Sequence, residues 1–206
     1  MLRDLVLHQG DQLFEVSRAR LALVEDEVGV LHRHHGAADA STLEPNGLDE
    51  PRRVAEALAS LNLDHVVVTS VARDDLADGG AAIFAATIRE LRALAPDTGV
   101  EVLIPDFDGR EAPLRAVMEA APDIVDHNLE TVQRLQKPVR KRARWERSLE
   151  VIRRAKEMAA ELGNPVHTKS SLMVGLGEER AELTEAFKAL RAVDCDVLTI
   201  GQYLRP

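Results

Sequence analysis

The sequence predicts an α/β fold, a parallel sheet of βα units wrapped into a barrel or part of one. From about Asp49 onward, short β-branched runs alternate with stretches of helical periodicity, the pattern of strands joined by crossover helices. Polar motifs gather after the strand runs, where the functional loops of such a barrel lie. The chain of 206 residues, 45% apolar and 30% charged, has ordinary globular usage and is long enough for one main domain.

Each element has its own signal. Val54, Leu58 and Leu61 fall on one face of a first helix. His65-Val66-Val67-Val68-Thr69-Ser70 is an apolar run of the kind that fills a two-side-buried strand, ending in polar residues. After Asp78-Gly79-Gly80, a second helix sets Phe84, Ile88, Leu91 and Ala95 on one stripe, and Pro96 ends it. The next strand is 100–104. A helix near 111–120, a strand at 124–127, a long helix near 148–162, a strand at 166–174, a helix at 179–193 and a strand at 197–202 complete five strands in series. Each strand run is followed by a polar turn: Thr69-Ser70 leads to Arg73-Asp74-Asp75, Ile104 to Pro105–Arg110, His127 to Asn128-Leu129-Glu130, and Val174 to Gly175–Glu178.

Residues 1–47 form an atypical segment ahead of the βα units at 48–206. Leu13–Val16 and Leu21–Leu31 suit either the strands of a hairpin or a helix broken at Gly29, and 37–47 is turn-rich. His32, His34 and His35 form an HRHH run, but adjacent histidines seldom converge on one ion, so metal is the weaker reading.

Composition narrows the function. A net charge of −9 argues against general nucleic-acid binding, which neutralises phosphates with clustered Lys and Arg. No run approaches the roughly 18 apolar residues of a membrane helix, and 1–10 lacks the apolar core of a signal peptide, so the expected location is cytoplasmic. A single cysteine, Cys195, precludes an intrachain disulfide and any zinc or iron–sulfur site built from several thiolates of this chain. It reads as a semi-buried structural residue.

Several constellations admit a functional and a structural reading. Gly175-Leu176-Gly177 lets backbone approach a ligand, yet matches neither the dinucleotide fingerprint nor a P-loop. Asn128 and Glu130 could meet a ribose diol, or simply cap and charge a helix N-terminus. Asp74, Asp75 and Asp78 could take an ammonium or hard cation, but their spacing favours capping and turn formation. Lys137–Arg147, KPVRKRARWER, is either a solvated helix start anchored by Trp145 or a site for a carboxylate or an acidic protein partner.

Taken in order, Val67–Gly80 (VVTSVARDDLADGG), Glu101–Arg110 (EVLIPDFDGR), Asp126–Val132 (DHNLETV), Thr168–Glu178 (TKSSLMVGLGE) and Leu198–Pro206 (LTIGQYLRP) resemble the lipoyl synthase family of radical S-adenosylmethionine (SAM) enzymes. The resemblance runs from about 48 to 206. It implies a partial parallel (β/α) barrel of the radical SAM type, lacking its first strand and C-terminal extension. It also implies a SAM site in which Gly79 and Gly80 lie near the methionine amino group, Asn128 and Glu130 near the ribose, and Gly175 to Gly177 near the nucleoside; Ser70 and Lys169 belong to the same implied set. The implied reaction uses two [4Fe–4S] clusters. One reduces SAM to a 5′-deoxyadenosyl radical that takes hydrogen from C6 and C8 of an octanoyl group on a carrier protein, a lipoyl domain or glycine cleavage H protein. The other donates two sulfurs, while the protein positions and shields the cofactors.

The departures are specific. The family carries a CxxxCxxC motif after its first strand and a further cysteine triplet before it, whereas residues 1–47 hold no cysteine. Lys141 stands where a proline is usual and Trp145 where a tyrosine is usual. Three readings follow: a lipoyl synthase by descent, inactive as it stands, whose residues 1–47 come from a shifted frame or mis-called start; a non-catalytic module binding SAM or carrier; or a degenerate fragment. No catalytic residue and no metal ligand is assigned.

Overall fold

The computed structural model describes residues 50–204, and the readings made for 1–47, including the histidine run, lie outside the described residues. Five strands, β1 (His65–Thr69), β2 (Gly99–Leu103), β3 (Ile124–Asp126), β4 (His167–Val174) and β5 (Val197–Gln202), form one sheet in sequence order with every pair parallel. Helices α1 (Glu50–Ser60), α2 (Ala81–Leu94), α3 (Glu111–Glu119), α4 (Gln133–Val139), α5 (Trp145–Leu162) and α6 (Arg180–Ala192) precede or connect them. All strands being parallel, the loops after them emerge at one edge, the rim, which therefore collects the polar motifs.

Local chemistry accounts for most boundaries. The Val66–Val68 run of β1 is β-branched and suits a pleated, buried strand. Helix α2 stops at Ala95, before Pro96. Gly163 closes α5 with φ 67°, its N–H bonded to the carbonyls of Ala159 and Ala160, a left-handed cap that glycine adopts without penalty. A capping box starts α6, where Glu179 and Glu182 each accept from the other's backbone N–H.

Two expectations are corrected and one helix is added. Leu61 is not on the face of α1: it lies in the turn beyond Ser60, 47% exposed. Helix α5 begins at Trp145 rather than near Ser148. Helix α4 was not anticipated at all, because seven residues with Pro138 inside carry too little periodicity to announce themselves.

Alternation along the strands divides the sheet into two faces. On the outer face Val66, Val100, Val102 and Val125 pack with Phe84, Ile88 and Leu91 of α2, Leu114 and Val117 of α3, and Val151 and Ala155 of α5. A second apolar cluster under β4 and β5 joins Leu172 to Trp145, Ile152, Ala186, Leu190 and Cys195. The inner face is different. Register pairs Leu103 with Asp126 and Asp126 with Lys169, while Val67, Glu101 and Ile124 form the row behind, so ionisable residues line the hollow of the sheet.

Candidate functional site

The inner face carries a connected charge cluster. Lys169 Nζ lies 2.6 Å from Glu101 Oε1 and 3.7 Å from Asp126 Oδ2, and the other Glu101 oxygen lies 3.2 Å from His65 Nε2. The cluster ties β1, β2, β3 and β4 together from within. Burial alone would raise the Glu101 carboxyl, but hydrogen bonds from His65 and Lys169 outweigh it and hold the group below the usual carboxylate range. Burial likewise works against the Lys169 charge, and the Glu101 hydrogen bond together with two nearby carboxylates reverses that, so its pKa rises.

Asp126 is the exception. Burial drives its pKa up to about 7, the Lys169 charge offsets only part of that, and Glu101 adds repulsion. Its Oδ1 is buried with no hydrogen-bond partner. A buried acceptor without a donor costs free energy in the bare protein and suits a ligand that donates to it.

Beyond β3, the segment His127–Glu130 is fixed residue by residue. His127 is buried, with Nδ1 2.9 Å from Ile104 O and Nε2 3.0 Å from Ser148 Oγ, and burial lowers its pKa. It is a framework residue. Asn128 is half-buried, its carbonyl accepts from Arg140 Nη1 at 3.1 Å, and its side-chain Oδ1 is buried without a partner. Glu130 takes a left-handed φ of 67°, held there by β4, since its N–H donates to Ser171 O at 2.9 Å and its carbonyl accepts from Met173 N at 2.7 Å. A non-glycine residue kept in that region, at a cost of about 1 kcal/mol, marks a position whose backbone the surroundings dictate.

The two glycine turns use their amides internally. Asp78 accepts from Gly80 N at 3.0 Å and Ala82 N at 2.8 Å and so caps α2. Gly79 N donates to Leu76 O and the Gly80 carbonyl accepts from Ile83 N at 3.0 Å and Phe84 N at 3.1 Å, which leaves the Gly79 carbonyl and bare Cα surface to face a ligand. Gly79 has φ 64°, and a Cβ there would meet the Phe107 ring at 3.1 Å. At the other turn the Glu178 carboxylate takes the N–H groups of Gly175 and Leu176, so this loop is filled from within and is no anion cradle. Gly175 is required by its φ of 106° rather than by crowding, as its nearest obstruction is Tyr203 O at 3.6 Å.

The remaining sequence candidates separate. Ser70 is exposed just beyond β1. Asp74, Asp75 and Asp78 do not converge on a cation: Asp75 pairs with Arg73 at 2.7 Å, Asp74 with Arg142, and Asp78 with backbone. Trp145 is 9% exposed and anchors the start of α5 in the second apolar cluster. Cys195 is buried, and burial pushes its thiol to about 12. Among the described residues no group of three His, Cys, Asp or Glu could hold a metal ion. Sequence reasoning missed the inner row of His65, Glu101 and Asp126 as a cluster. Its signal was available in Val100-Glu101-Val102 and Ile124-Val125-Asp126, where an acid interrupts a run that should be apolar on both faces.

A parallel half-barrel with a polar hollow and loops gathered at one rim places the chain in a known class. The model of the radical SAM superfamily matches residues 40–190. Two solved structures share the fold: methylornithine synthase, with a TM-score of 0.59 at 13% identity over 76% of this chain and 44% of that one, and coproporphyrinogen III oxidase from Escherichia coli, with 0.57 at 14% over 77% and 37%. The chain belongs to the radical SAM superfamily.

Relatives narrow this further. A lipoyl synthase of Caldicellulosiruptor saccharolyticus is 47% identical over 214 aligned residues, covering 100% of this chain and 74% of the relative. One from Symbiobacterium thermophilum is 61% identical over 164 residues and one from Bacillus cereus 55% over 159, and the chain spans 50% and 52% of their lengths. Within the superfamily, the chain belongs to the lipoyl synthase family.

Proposed function

We propose that this chain supplies the SAM-binding and carrier-facing part of a lipoyl synthase, the enzyme class that inserts two sulfurs at C6 and C8 of a protein-bound octanoyl group. The observation that carries the reading is the pair of buried, unpartnered acceptors at the end of β3, Asp126 Oδ1 and Asn128 Oδ1, beside the backbone-constrained Glu130. Each is an acceptor waiting for a donor, and a nucleoside with ribose hydroxyls and an ammonium group is rich in donors.

SAM would be held by Asn128 and Glu130 at its ribose, by the Gly79 carbonyl, with Gly80 leaving room beside it, at its ammonium, and by the Gly175–Gly177 turn at its nucleoside, with Ser70 at the rim. Lys169 already spends its charge on Glu101 and Asp126. It therefore acts by keeping the hollow assembled rather than by gripping an anion. When bound, SAM supplies a radical precursor. The residues of this chain contribute orientation, a cavity lined by acceptors, and exclusion of water by Leu129, Leu172 and Val132 beneath the loop.

The iron–sulfur clusters of the family do not fit these residues. One thiol, buried and held neutral up to about pH 12, cannot supply several thiolate ligands. As these 206 residues stand, the chain binds without turning over, and the octanoylated carrier is a lipoyl domain or a glycine cleavage H protein.

Calorimetric titration of SAM into the anaerobically purified chain, with and without added iron and sulfide, tests this. Binding is expected in both cases, with Asn128→Ala and Glu130→Ala losing it while the melting temperature holds. Absence of SAM binding by a cooperatively melting chain sinks the reading. A stoichiometric chain-bound [4Fe–4S] spectrum with 5′-deoxyadenosine release sinks the claim of binding without turnover.

A further inference from the structure

Residues Lys137–Arg147 carry six cations, Lys137, Arg140, Lys141, Arg142, Arg144 and Arg147, against one acid, Glu146, in a chain of net charge −9. The rest of the protein is therefore more acidic than its total charge states. Three of the six hold the segment in place. Arg140 Nη1 donates to Asn128 O at 3.1 Å, beyond β3; Arg147 Nη1 reaches Asp106 at 3.2 Å and Asp108 at 3.0 Å, beyond β2; and Arg142 pairs with Asp74, beyond β1. These anchors lay the link between α4 and α5 along the rim, across the ends of three strands.

The other three, Lys137, Lys141 and Arg144, are exposed and meet no acid among the described residues. Helix stability accounts for Lys137 alone, which sits in the last turn of α4 at the favourable, negative end of its dipole. Arg144 is the N-cap of α5, with Lys141 and Arg142 just before it, at the positive end of the helix dipole, where acids are favoured over cations. Val139, 38% exposed, ends α4 between Lys137 and Lys141, and Val71, 79% exposed, adds apolar surface to the loop after β1. Unpaired cations on the functional edge of an acidic chain, two of the three at or just before an unfavourable helix end, fit an external anion.

We propose that Lys137, Lys141 and Arg144 form a docking strip for an acidic face of the folded carrier protein, one that presents carboxylates around its acylated lysine. This rests on the carrier reading above and adds what recognises the carrier. An acidic partner is repelled by most of this molecule and attracted only at the rim, so the strip directs approach to the edge where the SAM site lies.

The test uses the full chain and three tagged peptides, followed by fluorescence anisotropy: octanoyl-lysine flanked by glutamates, octanoyl-lysine flanked by glutamines, and unacylated lysine flanked by glutamates. The acidic acylated peptide should bind about ten-fold more tightly than the neutral acylated one in low salt, with the advantage vanishing near ~0.5 M salt. The triple variant K137E/K141E/R144E should lose that preference while keeping its melting temperature and its affinity for the neutral acylated peptide. K137R/K141R should retain it. Equal binding of the two acylated peptides by the unaltered chain, or a preference that survives the triple variant, overturns the strip. So does tighter binding of a DNA or RNA oligomer that the triple variant abolishes, since the partner would then be a nucleic acid. If the acidic preference is intact but the acyl chain contributes nothing, the strip stands and the carrier reading falls.

Discussion

The two faces of one sheet make opposite contributions to this protein. On the outer face Val100 and Val102 are wholly buried against Ile88 and Leu91, also wholly buried, and the layer holds no charge. On the inner face, one residue away along the same strands, Glu101 and Asp126 are buried nearly as deeply but depend for their charges on the partly exposed Lys169. The outer face stabilises by removing apolar surface from water and is indifferent to pH. The inner face costs stability unless its charges are matched, and it holds a surplus acceptor that a ligand can use.

The largest effect should come from the outer face. Ile88→Ala should lose about 3–4 kcal/mol in denaturant unfolding, by the same amount at pH 5 and pH 8, because cavity formation involves no proton. A pH-dependent loss would break the contrast.

Next in size, Lys169→Met should lose about 2–3 kcal/mol at pH 8, the partly exposed lysine making this less than a fully buried pair would give. It leaves two buried carboxylates without their cation, so they take up protons in the folded state and the deficit should shrink as pH falls.

Asp126→Asn should have the opposite sign. The folded carboxyl titrates near 7, against an ordinary value of 3.8, so the folded state holds more protons than the unfolded state between those values. Its penalty is absent below about pH 4, grows as pH rises, and is complete above about pH 7. The asparagine variant should therefore be more stable than the parent by up to about 4 kcal/mol at pH 8, and no different at pH 4. Loss of SAM affinity in the same variant, read by calorimetry, would sharpen the division between a face kept for stability and one kept for a ligand.

The smallest effect belongs to the rim. Gly175→Ala, at φ 106°, should cost about 1 kcal/mol from backbone strain without any clash, since its nearest neighbour leaves ordinary contact distance. A melt showing several times that loss would mean that the turn is packed rather than merely bent.

Legibility followed the same division. The five strands could be read because outer-face valines and helix stripes repeat with fixed periods, and β5 appears at the same residues in sequence and structure. The strand-end loops could be read because polar residues followed each run. Helix α4 could not, being seven residues long, and neither could the inner cluster, whose members lie 36 and 68 residues apart. The weaker reading of Asp74, Asp75 and Asp78, a cation site, fails because the structure sends these sequence neighbours to three different partners, while Asp78 caps α2 as their spacing favours.

By itself, the sequence determined the alternation of strand and helix, the family through five ordered motifs, and the lack of thiols for a cluster. Each is a matter of local periodicity or of counting. Only the tertiary structure decided that Lys169 is bound to Glu101, that Asp126 and Asn128 keep unpartnered oxygens, that the Gly175 turn is filled by Glu178, and that the basic linker lies along the rim. The physical reason is that partnership between buried charges depends on strand register, and register is set by packing across the whole sheet rather than by any one segment.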